Sequence, residues 1–262
     1  MQNTEIEALI KLIDDPDEGI SSHVIKKLTE LAVNHFEQIQ EHYLRSDNEL
    51  QHIRLKQVLD SAHLTNLKNE FEQWVKNGAG DLFEGFFLVA KYRYPDLDKQ
   101  HILNHLDKIK LDIWLRLNHK YSELDNVKVI NDVFYGKYRF KGDNENYYSP
   151  QNSYINKILE NRTGNPISLS ILYSILAQKL YLPILGVNLP KHFVLAYKDS
   201  TYLEHDERFN NLGHIPHNIP GDILFYINAY RDGTVFSKFN IDRFLEQSKI
   251  NVDEHFYEPC PN

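Results

Sequence analysis

The chain has 262 residues, 42% hydrophobic and 25% charged, which is enough apolar material for one large or two ordinary packed domains and argues against a disordered chain. A formal net charge of −8 gives no basic field for nucleic acid or an anionic membrane, and no apolar run approaches the roughly 18 residues that span a bilayer. The opening MQNTEIEALIKLIDD is acidic and polar, unlike a secretory leader, and the single Cys260 excludes an intramolecular disulfide, so a cytoplasmic location is expected.

Helical spacing begins at once. Thr4-x-x-Glu7 reads as a capping box ahead of Ile6, Leu9, Ile10 and Ile13. The acidic turn from Asp14 to Gly19, with Pro16, separates this helix from a second apolar stripe at Val24, Leu28 and Leu31, for which Ser21 and Ser22 offer caps. Two short helices across such a turn form a HEAT-like pair, which must stack on further helices to cover its apolar face. Helices are expected at 34–45, 48–60 and 62–76. Asn77-Gly78-Ala79-Gly80 then reads as a linker with Asp81 as the next cap, so a helical segment over 1–78 precedes a second domain over 79–248 and a tail over 249–262.

Beyond the linker, Leu82, Phe83, Phe86, Phe87 and Val89 mark one helix, and Ile102, Leu106, Ile109 and Ile113 line a longer one after Pro95-Asp96. The polar, aromatic run from Gly136 to Ser149 reads as a surface loop, and Ser149-Pro150 as the start of a helix through Leu159. Asn165 and Pro166 open a helix that is apolar on nearly all sides, as befits the centre of a domain. Four β-type runs follow, at Ile184–Leu189, Phe193–Tyr197, Ile223–Ile227 and Thr234–Phe236. A buried helix against an antiparallel sheet is an α+β core.

That order of elements matters chemically. The amides and macrodipole at a helix N-terminus stabilise an anion such as a thiolate, and cysteine hydrolases pair that position with a His on a following strand and an Asp or Asn on the next. Three motifs carry a family resemblance: Asn152-Ser153-Tyr154-Ile155-Asn156, Gly164-Asn165-Pro166-Ile167-Ser168-Leu169-Ser170 and Leu189-Pro190-Lys191-His192-Phe193-Val194-Leu195. With the later run Ile223-Leu224-Phe225-Tyr226-Ile227-Asn228 and Gly233, residues 81–248 resemble the bacterial SirB-type transglutaminase-like proteins. The resemblance implies a papain-like, transglutaminase-like core behind a helical segment. Carried over position by position, it puts Pro166 where active members have the nucleophilic Cys, His192 at the triad His, and Asn228 where they usually have Asp. Pro166 supplies neither a thiol nor a backbone N–H for an oxyanion hole, and losing one such donor alone costs on the order of 100-fold in rate. The expected function is therefore a non-catalytic binding or regulatory module with a degenerate triad. Its partner would be a protein or peptide, with no nucleic acid, no membrane and no cofactor.

Other candidates are weighed against that reading. Thr163, Asn165 and Lys191 are expected to border the cleft. Ser168 and Ser170 lie inside the helix, and Cys260 is expected as a free surface thiol beyond the core. The alternative is a hydrolase with a relocated nucleophile or a metal-dependent site built from His205, Asp206, His214 and His217. Their spacing matches no zinc signature, and neighbours arise by chance among 13 histidines, so a metal-free loop is favoured.

Overall fold

The computed structural model describes residues 2–199 and 221–260. The chain divides into two compact units, Met1–Lys76 and Asn77–Asn262.

The first unit is helical: α1 (Gln2–Lys11), α2 (Glu18–Ala32), α3 (Phe36–Arg45) and α4 (Glu49–Lys76). Ile6, Ile10 and Ile13 of the first hairpin pack with Val24, Leu28, Ile39, Leu55 and Val58, all buried. Three boundaries differ from the sequence reading. Thr4 lies within α1, which already runs from Gln2. The cap of α2 is Asp17, whose carboxylate accepts from the amides of Gly19 and Ile20, so the acidic turn itself starts the helix and Ser21 is buried inside it. The two helices expected over 48–60 and 62–76 are one, because Ser61-Ala62 contains no breaker and Leu59, Ala62 and Leu67 keep the buried stripe continuous across it.

In the second unit Asp81 caps α5 (Leu82–Arg93) and Asp98 caps α6 (Lys99–Trp114). A capping box from Ser122 and Asp125 opens α7 (Glu123–Asn131), which continues into a π-helical turn over Asp132–Lys137. The expected surface loop is anchored: Phe140 is buried, and β1 (Lys141–Gly142) pairs in parallel with β2 (Thr163–Gly164). The helix expected from Ser149 is split into a 3-10 turn, Pro150–Ser153, and α8 (Ile155–Asn161). Buried Asn152 donates from Nδ2 to the carbonyls of Asn146 and Tyr147, which holds the turn against the preceding loop.

Next come α9 (Pro166–Gln178) and a four-stranded antiparallel sheet, β3 (Ile184–Leu189), β4 (His192–Lys198), β5 (Ile223–Asn228) and β6 (Thr234–Phe236), in sequential order. Both faces of this sheet are covered. Ile184, Leu195, Tyr197 and Ile227 point to the core around α9, while Val187, Leu189, Val194, Ala196 and Tyr226 pack on Ile241 and Leu245 of α10 (Lys238–Gln247). The alternation of one strand thus serves two cores. The segment expected as a tail is packed too: Tyr257 is buried on that second face, and the Cys260 amide donates to the Gly186 carbonyl at 2.9 Å. No helix among the described residues is long and apolar enough to cross a membrane.

Candidate functional site

The start of α9 is locally self-contained. Asn165 is extended (φ −89°, ψ 173°); its Oδ1 accepts from the Ser168 amide at 2.9 Å while Ser168 Oγ accepts from the Asn165 amide at 3.0 Å. This reciprocal pair is a capping box. Asn165 Nδ2 also donates to Ser153 Oγ at 3.1 Å. Pro166 sits at the first helical position, with no N–H to give and a ring that fixes φ for the helix. Ser168 is thus occupied by the cap, and Ser170 is fully buried with its Oγ unpartnered among the described residues. Neither hydroxyl is available as a nucleophile. Cys260, expected on the surface, is half-buried against β3, where its Sγ donates to the Gly186 carbonyl and burial pushes its thiol pKa up, the opposite of an activated thiolate.

The hairpin β3–β4 turns through two residues, Pro190 and Lys191, between the paired Leu189 and His192. Lys191 takes φ 64°, and a positive φ directly after a turn proline is the type II pattern. His192 is exposed and points to the same face as Val194 and Ala196, the α10 side. Its ring meets Phe244 edge to face, with centroids 4.7 Å apart and planes at 73°. Its pKa is lowered from the usual 6.5, first by partial desolvation and then by the nearby charges of Arg231 and Lys191. Asn228 ends β5 on the same face as Tyr226, so alternation sets it on the side of the sheet that carries His192. Its Oδ1 is spent on its own turn, accepting from the amides of Tyr230 at 3.1 Å and Arg231 at 3.2 Å. Among the described residues no hydrogen bond joins His192 to Asn228. A triad needs its third member to orient the imidazole, and that contact is missing in this arrangement.

Pro166, Lys191 and His192 border an open cleft with two adjoining lobes. The larger, about 610 Å³, also takes in Asn228, Tyr230, Arg231, Phe236 and Phe244. The smaller, about 400 Å³, reaches Tyr148, Ser153, Asn165 and Ile167. Five of the six cleft and triad positions named from the sequence therefore line one depression. Thr163 does not: it pairs with Lys141 and lines a separate polar hollow with Lys141, Asp143 and Glu145. Tyr147, Tyr230 and Phe244 were missed by sequence reasoning. Phe244 alone had a usable signal, three residues after Ile241 on an amphipathic helix. His205, Asp206, His214 and His217 lie outside the described residues. Among the described residues no group of three or more His, Cys, Asp or Glu could hold a metal ion.

A family model described as the transglutaminase-like superfamily matches residues 100–262, more than half of the chain. A UPF0162 protein of Xylella fastidiosa (strain Temecula1) is 33% identical over 112 residues, which are 41% of this chain and 38% of that protein. A UPF0162 protein of Vibrio cholerae is 30% identical over 118 residues, 45% of this chain and 44% of that protein. F-box only protein 21 of Mus musculus is 44% identical over 71 residues, 27% of this chain and 11% of that protein. The chain thus matches less than half the length of each of these curated relatives, and no solved structure matches it. With the matched region running from α6 through the central helix and the sheet, the chain belongs to the transglutaminase-like superfamily.

Proposed function

We propose that this is a SirB-type, papain-like member of the superfamily that has given up catalysis and uses its former reaction cleft to bind a peptide or protein segment. The observation that carries this reading is Pro166 at the first position of α9, on the wall of an open cleft shared with His192 and Asn228. At that position a catalytic member needs a thiol and gains from a backbone N–H; proline has neither. A drop of this kind in two catalytic contributions multiplies, and a site without a nucleophile has no acyl intermediate to form. The helical unit over residues 1–76, which we read as a HEAT-like stack, would then serve as a second protein-binding element or a scaffold.

The purified full-length chain is incubated with glutaminyl and ester peptides, and product is followed by mass spectrometry. No turnover above the buffer rate is expected from the wild type. Turnover abolished by His192→Ala would overturn the non-catalytic reading and restore the hydrolase alternative.

A further inference from the structure

Among the described residues the rim of the cleft is charged in one sense only. Lys191 stands on the β3–β4 turn and Arg231 on the β5–β6 turn, with His192 beside them, and no described Asp or Glu lines either lobe. This is a local reversal, because the chain as a whole holds 37 acidic residues against 29 basic ones. Both cations are exposed, and among the described residues neither has a carboxylate partner. Below the rim the surface is apolar, formed by Val194, Phe236, Ile241 and Phe244. A cavity with an aromatic floor and two convergent like charges at its mouth complements a ligand that is apolar at one point and anionic beside it.

We propose that the cleft binds an acidic peptide, with a glutamate or aspartate side chain at the Lys191 and Arg231 rim and an adjacent apolar side chain on the floor at Phe236 and Phe244. This rests on the reading of the site as a binding cleft and adds the chemistry of what fills it. Partial burial is the main reason the His192 imidazole resists protonation, and the charges of Arg231 and then Lys191 add to it; the same two cations attract a ligand carboxylate. At the start of α9 Pro166 has no amide to give and that of Ser168 is taken by Asn165, whereas the charges at the rim belong to side chains and are open to substitution.

The test is fluorescence anisotropy with the full-length chain and two labelled, end-blocked peptides, acetyl-Glu-Leu-Phe-Glu-amide and its Gln-Leu-Phe-Gln counterpart. The acidic peptide is expected to bind about tenfold tighter in 50 mM salt, with the difference shrinking in 0.5 M salt, as suits exposed charges. Lys191→Gln with Arg231→Gln removes the preference and leaves the weaker binding of the neutral peptide; both residues are exposed, so the fold tolerates the change. Phe244→Leu weakens both peptides alike. Equal affinity for the two peptides, still sensitive to Phe244→Leu, would overturn the acidic specificity and leave the cleft reading standing. An acidic preference that survives the double substitution would overturn the placement at Lys191 and Arg231. Absence of binding by either peptide would remove both this inference and the cleft reading.

Discussion

Asn131 holds Gly233 from across the domain: its Nδ2 donates to the Gly233 carbonyl at 3.0 Å while its Oδ1 accepts from the Tyr173 hydroxyl at 3.0 Å. One side chain at the end of α7 thereby ties the central helix to the turn that follows Asn228. The π-helical turn adds a second tie, since Tyr135 donates to the Ala229 carbonyl at 2.9 Å. Gly233 is required here on two counts. Its φ is +66°, and a Cβ would fall 2.1 Å from Asn131 Oδ1.

Gly233→Ala is therefore expected to cost about 2–4 kcal/mol, the left-handed backbone penalty plus the displaced amide. Asn131→Ala is expected to cost about 1–3 kcal/mol, because it leaves a tyrosine hydroxyl and a carbonyl without partners. The double variant tests the mechanism. With the Asn131 side chain gone the new methyl group has room, so the combined loss in urea unfolding falls below the sum of the singles by about 1 kcal/mol or more. Strict additivity would mean that the contact is not what excludes a side chain at Gly233.

His192 is expected to titrate below 6.5 in an NMR pH series. Burial is the larger cause, so Arg231→Gln raises its pKa only part of the way and Lys191→Gln by less. The sign for stability follows from the direction. An imidazole harder to protonate in the folded state takes up its proton more readily when unfolded, so stability declines as pH falls through 6.5. His192→Gln should flatten that part of the curve.

Asp125 is held down to about 2 from 3.8, chiefly by its hydrogen bond from Lys128 and then by that from Ser122. Its contribution to the start of α7 is therefore complete above pH 3.8 and is lost as the pH drops through about 2. Carboxyl chemical shifts will show this directly. Lys128→Gln is expected to raise the Asp125 pKa more than Ser122→Ala does.

Ser170 offers the reverse kind of test. Its hydroxyl is fully buried with no partner among the described residues, so Ser170→Ala removes an unmet hydrogen-bonding group and little volume. The variant is expected to be neutral or more stable by up to about 1 kcal/mol in thermal or urea unfolding. A loss above that range would show that the hydroxyl is satisfied.

These outcomes bear on what can be read in a sequence like this one. Asp81 and Asn165-Pro166 announce their helices because a cap acts on amides two or three residues away, and the β-type runs stand out because alternation is local. Pro166, His192 and Asn228 sit at the ends of elements with strong local signatures, but their triad positions are what the family resemblance implies. Tyr147 and Tyr230 could not be named from the sequence, since they reach the cleft only through folding of segments about 80 residues apart in the chain, and the helical spacing of Phe244 marks it as apolar without placing it at the cleft. The acidic turn does separate α1 from α2, but the cap lies at Asp17 inside it and not at Ser21 or Ser22, and α4 runs unbroken because its buried stripe continues where two helices are expected.

The clamp around Tyr230 has a further bearing, on rates. Its hydroxyl donates to the Asp143 carbonyl at 3.1 Å and contacts Asn144 Oδ1 at 3.0 Å, its ring lies so near Gly142 that a Cβ there would fall 2.5 Å from it, and Tyr147 meets it edge to face at 6.1 Å. Two walls that belong to distant stretches of chain are fastened to each other before any ligand arrives. Little remains to be ordered on encounter, so association should proceed at the ordinary pace of docking onto a rigid patch, about 10⁵–10⁷ M⁻¹s⁻¹. Discrimination among ligands would then lie in how long each one stays.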